Sequence, residues 1–188
     1  MRQCVFGFGC ALLLTAVLGC ATNGADGEAA KRQAILDMKE EALSHLFSAR
    51  PELKAQVREA PGYGVFSNAN VNLVLASVSG GEGVVEDNHR RTHTFMKMGE
   101  VGIGLGLGVK DFRAVLVFHD RETMEKFVNS GWEFGAHADA AAKAGTRGGA
   151  VAGELLLDGI TVYQLTESGL ALQATIKGTK YWKDSALN

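Results

Sequence analysis

Cysteine is missing from almost the whole chain: the three present are Cys4, Cys10 and Cys20, and none follows. Internal disulfides, a cysteine-ligated zinc and thiol catalysis are thereby excluded from the folded part. Proline is as scarce, at 2 in 188 residues, so the 24 glycines belong neither to a collagen repeat nor to a Pro-rich linker. Against a usual ~7% that is an excess, and it must serve backbone geometry. A surplus of positive charge is also absent, because 19 Lys+Arg face 21 Asp+Glu for a formal net charge of -2. No chain-wide positive field exists to hold a polyanion by counterion release, which argues against nucleic acid as a partner. With 46% hydrophobic and 21% charged residues the composition is that of a globular protein, and the length suits one domain with a sizeable core.

At the N-terminus, Arg2 followed by the nearly uncharged apolar stretch 5–18 reads as a secretory signal. The stretch is shorter than the ~20 residues of a permanent bilayer-spanning helix. Val17-Leu18-Gly19-Cys20 resembles the bacterial lipoprotein signal, in which a peptidase cuts before a lipid-modified cysteine, although Leu18 is bulkier than is usual there. The alternatives are an ordinary signal peptide cut elsewhere and an uncleaved anchor. The lipoprotein resemblance implies that Cys20 carries a thioether-linked diacylglycerol and an amide-linked fatty acid such as palmitate. Two or more chains give stable anchoring where one is marginal. Ala21 is not the aspartate of an inner-membrane retention signal, which points to the outer membrane with the domain in the periplasm.

The expected organisation is a signal peptide over 1–19, a small polar tether over 20–28, and one domain over 29–188, helical to residue 60 and mainly β from 61. Over 29–49, Ile35, Met38, Ala42, Leu46 and Ala49 recur at spacings of three and four, with Leu36, Leu43 and Phe47 widening the stripe. Such an amphipathic helix packs on a core with Lys31, Arg32, Lys39, Glu40 and Glu41 solvated, or lies in the membrane interface beside the anchor. Pro51 suits the first turn of a second short helix that Ala60-Pro61-Gly62 ends. Thereafter the period is two. Strands are expected over 65–66, 71–78, 83–86, 92–98, 101–109, 112–119, 132–138, 153–157, 160–165 and 170–176. One helix interrupts them over 120–130, with Asp120 as N-cap. Turns fall at Asp87-Asn88, Lys110-Asp111, Asp158-Gly159 and Ser168-Gly169. Short links mean antiparallel pairing, so the expected fold is α+β: N-terminal helices packed on a Gly-rich antiparallel β-sheet or partly closed β-barrel.

Gly102, Gly104, Gly106 and Gly108 alternate with Ile103, Leu105, Leu107 and Val109, which leaves one strand face without side chains. That marks tight curvature or close approach by another backbone. A dinucleotide loop fails, because Leu107 and Val109 stand where G-x-G-x-x-G needs its last glycine.

The order of elements, with APGYGVFSNANVNLVLASVSGGEGVV, VGIGLGLGVKDFRAVLVFHDRETMEKF, WEFGAHADAAAKAG and ITVYQLTESGLALQATIKGTKYWKD, resembles the SYLF (YSC84-like) domain family from about residue 60 to the C-terminus. The resemblance implies a lipid-binding module, since eukaryotic relatives bind phosphoinositide membranes and some bundle actin. Bacterial members are mostly secreted lipoproteins. Ser67 and Thr146 stand where relatives often have proline, and the chain ends at Asn188 without the aromatic tail of some members. The family supplies no catalytic residues to carry over.

The residues themselves nominate no catalyst. His45, His89, His93, His119 and His137 show no metal-ligand spacing, Ser79 lacks the glycines of a nucleophile elbow, and the acids are scattered. A non-enzyme without cofactor or metal is the expectation. Two places suit anionic lipid headgroups. Near the C-terminus, alternation puts Lys177, Thr179, Tyr181 and Lys183 on one strand face and Lys180 and Trp182 on the other, a mixture of cations and rings suited to a membrane interface. Arg90, Arg91 and Lys97 form a smaller basic cluster around a hairpin. The plain alternative is a solvated terminal strand with one core aromatic. For the whole protein the rival to lipid binding is an envelope structural or protein-interaction scaffold with an envelope protein partner.

Overall fold

The computed structural model describes residues 24–73, 76–103, 112–134, 150–151, 154–166, 169–170 and 179–188. Helix α1, Gly24–Ala49, buries Ile35, Ala42, Leu43 and Leu46 and partly covers Leu36, Met38 and Phe47, while Ala49 is exposed. The stripe is thus spent on the protein's own core. The helix begins earlier than the periodicity suggests, so residues 24–28 of the expected tether are helical. Ala25, Ala29 and Ala30 are strong helix formers, and Asp26 lies in the first turn, where the helix dipole favours it. Helix α2, Leu53–Glu59, buries Leu53 and Val57 and stops at Ala60, which is extended ahead of Pro61 as residues before proline are.

Among the described residues ten strands follow: β1 (Gly62–Leu73), β2 (Ala76–Asp87), β3 (Thr92–Ile103), β4 (Phe112–Phe118), β5 (Trp132–Phe134), β6 (Ala150–Val151), β7 (Glu154–Leu157), β8 (Ile160–Thr166), β9 (Gly169–Leu170) and β10 (Thr179–Lys183). Between β4 and β5 lies helix α3, Arg121–Ser130, where Asp120 accepts a bond from the Thr123 N–H as its N-cap. The fold is α+β. All pairings are antiparallel, in the order β5-β10-β3-β2-β1-β4-β8-β7-β6, with β9 on β8.

The expected limits of the first strands are corrected. Residues 71–78 are not one strand but the meeting of two, since Val71 pairs with Val78 across the β1–β2 hairpin. No Gly, Pro or Asp marks the reversal, and the apolar run Leu73-Val74-Leu75-Ala76 carries the strand signal straight through it. The expected breaks at 67–70, 79–82 and 99–100 do not occur, and β1, β2 and β3 each run for 12 residues. Among the described residues β4 pairs with β1 and β8, not with β3, although β3 precedes it in the chain. The glycines at 104, 106 and 108 and the turn at Lys110-Asp111 lie outside the described residues. The β7–β8 turn is as expected, with Asp158 and Gly159 both at positive φ, 44° and 79°, the geometry of a two-residue hairpin.

The sheet is covered on both faces. On one, α1 and α2 pack on Tyr63, Val65, Val84, Phe95, Val115, Val117, Tyr163 and Leu165. On the other, Met124 and Phe127 of α3 join Phe66, Met96, Met98, Leu116, Phe118, Ile160, Trp132 and Tyr181. Rings there meet edge to face, Phe66 with Tyr181 at 4.7 Å and Phe118 with Phe127 at 5.1 Å.

Candidate functional site

Strand β10 lies between β3 and β5, so its two faces have different fates. Thr179 and Tyr181 point into the α3-side core at 0% exposure, whereas Lys180 is exposed and Trp182 is 40% exposed. Tyr181 is therefore a core ring and not a headgroup contact, because Phe66 and Phe127 enclose it. Trp182 is the exposed large hydrophobic among the described residues. Lys183 shares the parity of Tyr181 but stands at the strand end, exposed, donating to Asn129 Oδ1 of α3 at 3.3 Å. Lys177 lies outside the described residues.

Strand register aligns these positions into rows on the α1 side of the sheet. Trp182 pairs with Lys97, and Lys97 with Glu82; one row over, Lys180 pairs with Gly99, and Gly99 with Gly80. The N-terminal half of α1 is fastened to this surface. Lys31 Nζ lies 2.9 Å from Glu82 Oε2 and 3.8 Å from Asp184 Oδ2, Lys97 Nζ lies 3.2 Å from Asp184 Oδ1, and Arg32 Nε donates to the Leu187 carbonyl at 2.8 Å. Burial pushes the Asp184 carboxyl up, but the Ala186 N–H and Lys97 outweigh it and hold it below the usual carboxylate range. Asn188 completes the clamp, accepting from the Phe95 N–H and donating to the Phe95 carbonyl.

The expected hairpin cluster is divided. Lys97 belongs to the Asp184 clamp, while Arg90 lies at the turn beside α3, 3.2 Å from Glu125 and 3.5 Å from Asp87. Arg91 is exposed at the turn with φ 54°. Asp87 organises that turn, accepting from the His89 and Arg90 N–H groups and from Arg121 Nη2 at 2.8 Å. Arg90 and Lys183, from the two separate basic groups, line one polar cleft of about 380 Å³ together with the carboxylates Asp87 and Glu125 and with Thr92 and Asn129.

A polar junction between α1 and the sheet was not anticipated. Lys39, expected in solvent, is buried; its Nζ lies 2.6 Å from Glu86 Oε2, which also accepts from the Tyr63 hydroxyl at 2.8 Å and lies 3.2 Å from His93 Nε2. Burial raises the Glu86 carboxyl, yet the bonds from Lys39 and Tyr63 bring it below the ordinary value. Burial and the bond to Glu86 push the Tyr63 hydroxyl well above its own. The signal was present, because Ile35, Lys39, Ala42 and Leu46 follow one helical stripe.

Between α1 and the β1–β2 hairpin runs a groove of about 390 Å³, walled by Ala34, Ile35 and Met38 and floored by Ser67, Gly80, Gly81 and Glu82. Among the described residues no three His, Cys, Asp or Glu side chains gather as metal ligands, and no helix is long and apolar enough to cross a membrane. His119 bonds Thr161 Oγ1 at 2.7 Å, His45 and His89 are exposed, and His137 lies outside the described residues, as does Cys20.

Residues 99–188 match the Ysc84 family, described as "Las17-binding protein actin regulator". Over 159 residues the chain is 36% identical to Beta cell expansion factor A of Aeromonas veronii, a match that takes in 83% of this chain and 58% of the relative. The chain thus spans less than two thirds of that relative's length.

Proposed function

Through residues 99–188 the chain is a member of the Ysc84 (SYLF) family, and from that premise we propose that it is a non-catalytic lipid-binding module, exported and held at the outer membrane by acyl chains on Cys20. The observation that carries this reading is Trp182, 40% exposed and on the same face of β10 as the exposed Lys180. An indole at headgroup level beside an ammonium group suits an anionic membrane surface, where each Lys adds about 1 kcal/mol. Its position relative to the anchor supports the same reading. Lys31 contacts Asp184, two residues beyond Trp182, and from Lys31 back to Gly24 the helix spans about 10 Å. A lipidated Cys20, four residues further back, would hold this face near the bilayer.

The interior ionisable groups support a role without chemistry, because Lys39, Glu86 and Tyr63 are bonded to one another. Co-sedimentation of residues 21–188 with phosphatidylglycerol vesicles tests the proposal without the acyl anchor. Binding that weakens with salt is expected; no binding at low salt sinks it. The family is named for binding a protein, Las17, and that favours a second reading, an envelope protein-interaction scaffold. Capture of a periplasmic partner together with absent vesicle binding would decide for it.

A further inference from the structure

Gly80 is the glycine of β1 and β2 that the fold does not require. An added Cβ at Gly62 would strike the Glu86 carbonyl, at Gly64 the Phe66 ring, at Gly81 the Ser67 carbonyl, and at Gly83 the Val65 carbonyl and the Phe66 ring. At Gly80 it would meet nothing within 4 Å among the described residues, and the backbone there is not left-handed. A glycine inside a strand weakens it, and its use is to let something approach the backbone closely. What lies above Gly80 is the groove under α1, which has the volume of a small-molecule site, roughly 300–1,000 Å³.

We propose that this groove takes one acyl chain of a membrane phospholipid whose anionic headgroup rests at Lys180 and Trp182. The proposal rests on the lipid-binding reading above and assigns its tail site. Ala34, Ile35 and Met38 give the groove hydrocarbon walls, and its single carboxylate, Glu82, is already neutralised by Lys31 at 2.9 Å. A free cation lies at the correct reach. Gly80, Gly99 and Lys180 form one row across β2, β3 and β10, and with strands about 4.8 Å apart Lys180 stands about 10 Å from Gly80. Lys97 in the neighbouring row is engaged by Asp184, whereas Lys180 has no ion-pair partner among the described residues. The floor of the groove at Gly80 therefore lies in one row with an unneutralised ammonium group beside an exposed indole, an arrangement that complements a phosphodiester and its tail.

The full chain is reconstituted in phosphatidylethanolamine–phosphatidylglycerol vesicles whose acyl chains carry a diazirine, irradiated, digested and mapped by mass spectrometry. Label is expected on the peptide containing Ala34 and Met38 and on the one containing Gly80. A Cβ at Gly80 has no described neighbour within 4 Å, so Gly80→Leu, which sends its side chain into the groove, should keep the thermal transition and lose label at both peptides. Ser67→Leu, from the other strand of the floor, should act alike if Gly80→Leu folds poorly. Lys180→Glu should weaken labelling while leaving the transition in place. Vesicle association of residues 21–188 with label confined to other peptides, or with groove label unchanged in Gly80→Leu, overturns the groove and leaves the lipid-binding reading standing. Residues 21–188 that ignore the vesicles overturn both. An unlabelled groove, whether occupied by the protein's own Cys20 chain or by a peptide, also overturns the proposal.

Discussion

Replacing Lys39 by Met tests the junction between α1 and the sheet. Methionine keeps much of the lysine stem, so the packing of α1 is retained and only the ammonium group is lost. Glu86 is then left on the covered face with the Tyr63 hydroxyl and His93 but without the charge at 2.6 Å. Removing one partner of a fully buried pair costs about 3–5 kcal/mol. The Glu86 side chain is 22% exposed and keeps its tyrosine bond, so a loss of about 2 kcal/mol is expected. The pH dependence has a definite sign. Glu86 is held below its ordinary value in the folded protein, so its stabilisation is present above the unfolded carboxyl value and fades as pH falls through the folded one. In Lys39→Met burial prevails and the carboxyl moves up. The deficit against the wild type should therefore be full near neutral pH and shrink in acid as the pH falls through the lowered folded value of the wild-type carboxyl, below which both proteins carry the neutral acid. Urea unfolding at neutral and at acid pH measures it. Adding Glu86→Gln, which keeps an acceptor for Tyr63, should restore much of the neutral-pH loss. A single variant within about 0.5 kcal/mol of wild type at neutral pH, or a deficit that does not narrow in acid, would refute the reasoning.

Cys20→Ser removes the thiol that accepts diacylglycerol, so the protein should leave the membrane fraction or stall as precursor while any released domain keeps its thermal transition. An unmodified N-terminal peptide beginning elsewhere than Cys20 in the wild type would end the lipoprotein proposal. Tyr181→Ala empties a fully buried ring site and should cost about 3–5 kcal/mol. Trp182→Ala, one residue on, should cost far less stability yet weaken binding to phosphatidylglycerol vesicles; equal losses of stability from the two would contradict the assignment of faces. Asn188→Ala deletes both bonds to the Phe95 backbone and should cost about 1–2 kcal/mol, read as an earlier thermal transition.

Local signals were legible wherever one residue or one period decides the conformation. Asp120 caps α3 because its carboxylate reaches the Thr123 N–H, and Asp158-Gly159 turns because both positions take positive φ. Alternation likewise separated Tyr181 from Trp182 onto opposite faces of β10. Which of those faces is covered was beyond alternation, since it depends on β10 entering between β3 and β5 beneath α3. The same holds for the basic residues. Arg90 and Lys183, ninety-three positions apart, come to one cleft, while Arg90 and Lys97, seven apart, face different partners. Lys39 shows the division most clearly. Its place on the buried stripe of α1 is a matter of helical period and was readable in the sequence. That the place is tolerable for a charge depends on Glu86, forty-seven residues away, which only the strand register brings to within 2.6 Å. Period is a property of neighbours along the chain, whereas neutralising a buried charge requires a partner that folding alone delivers.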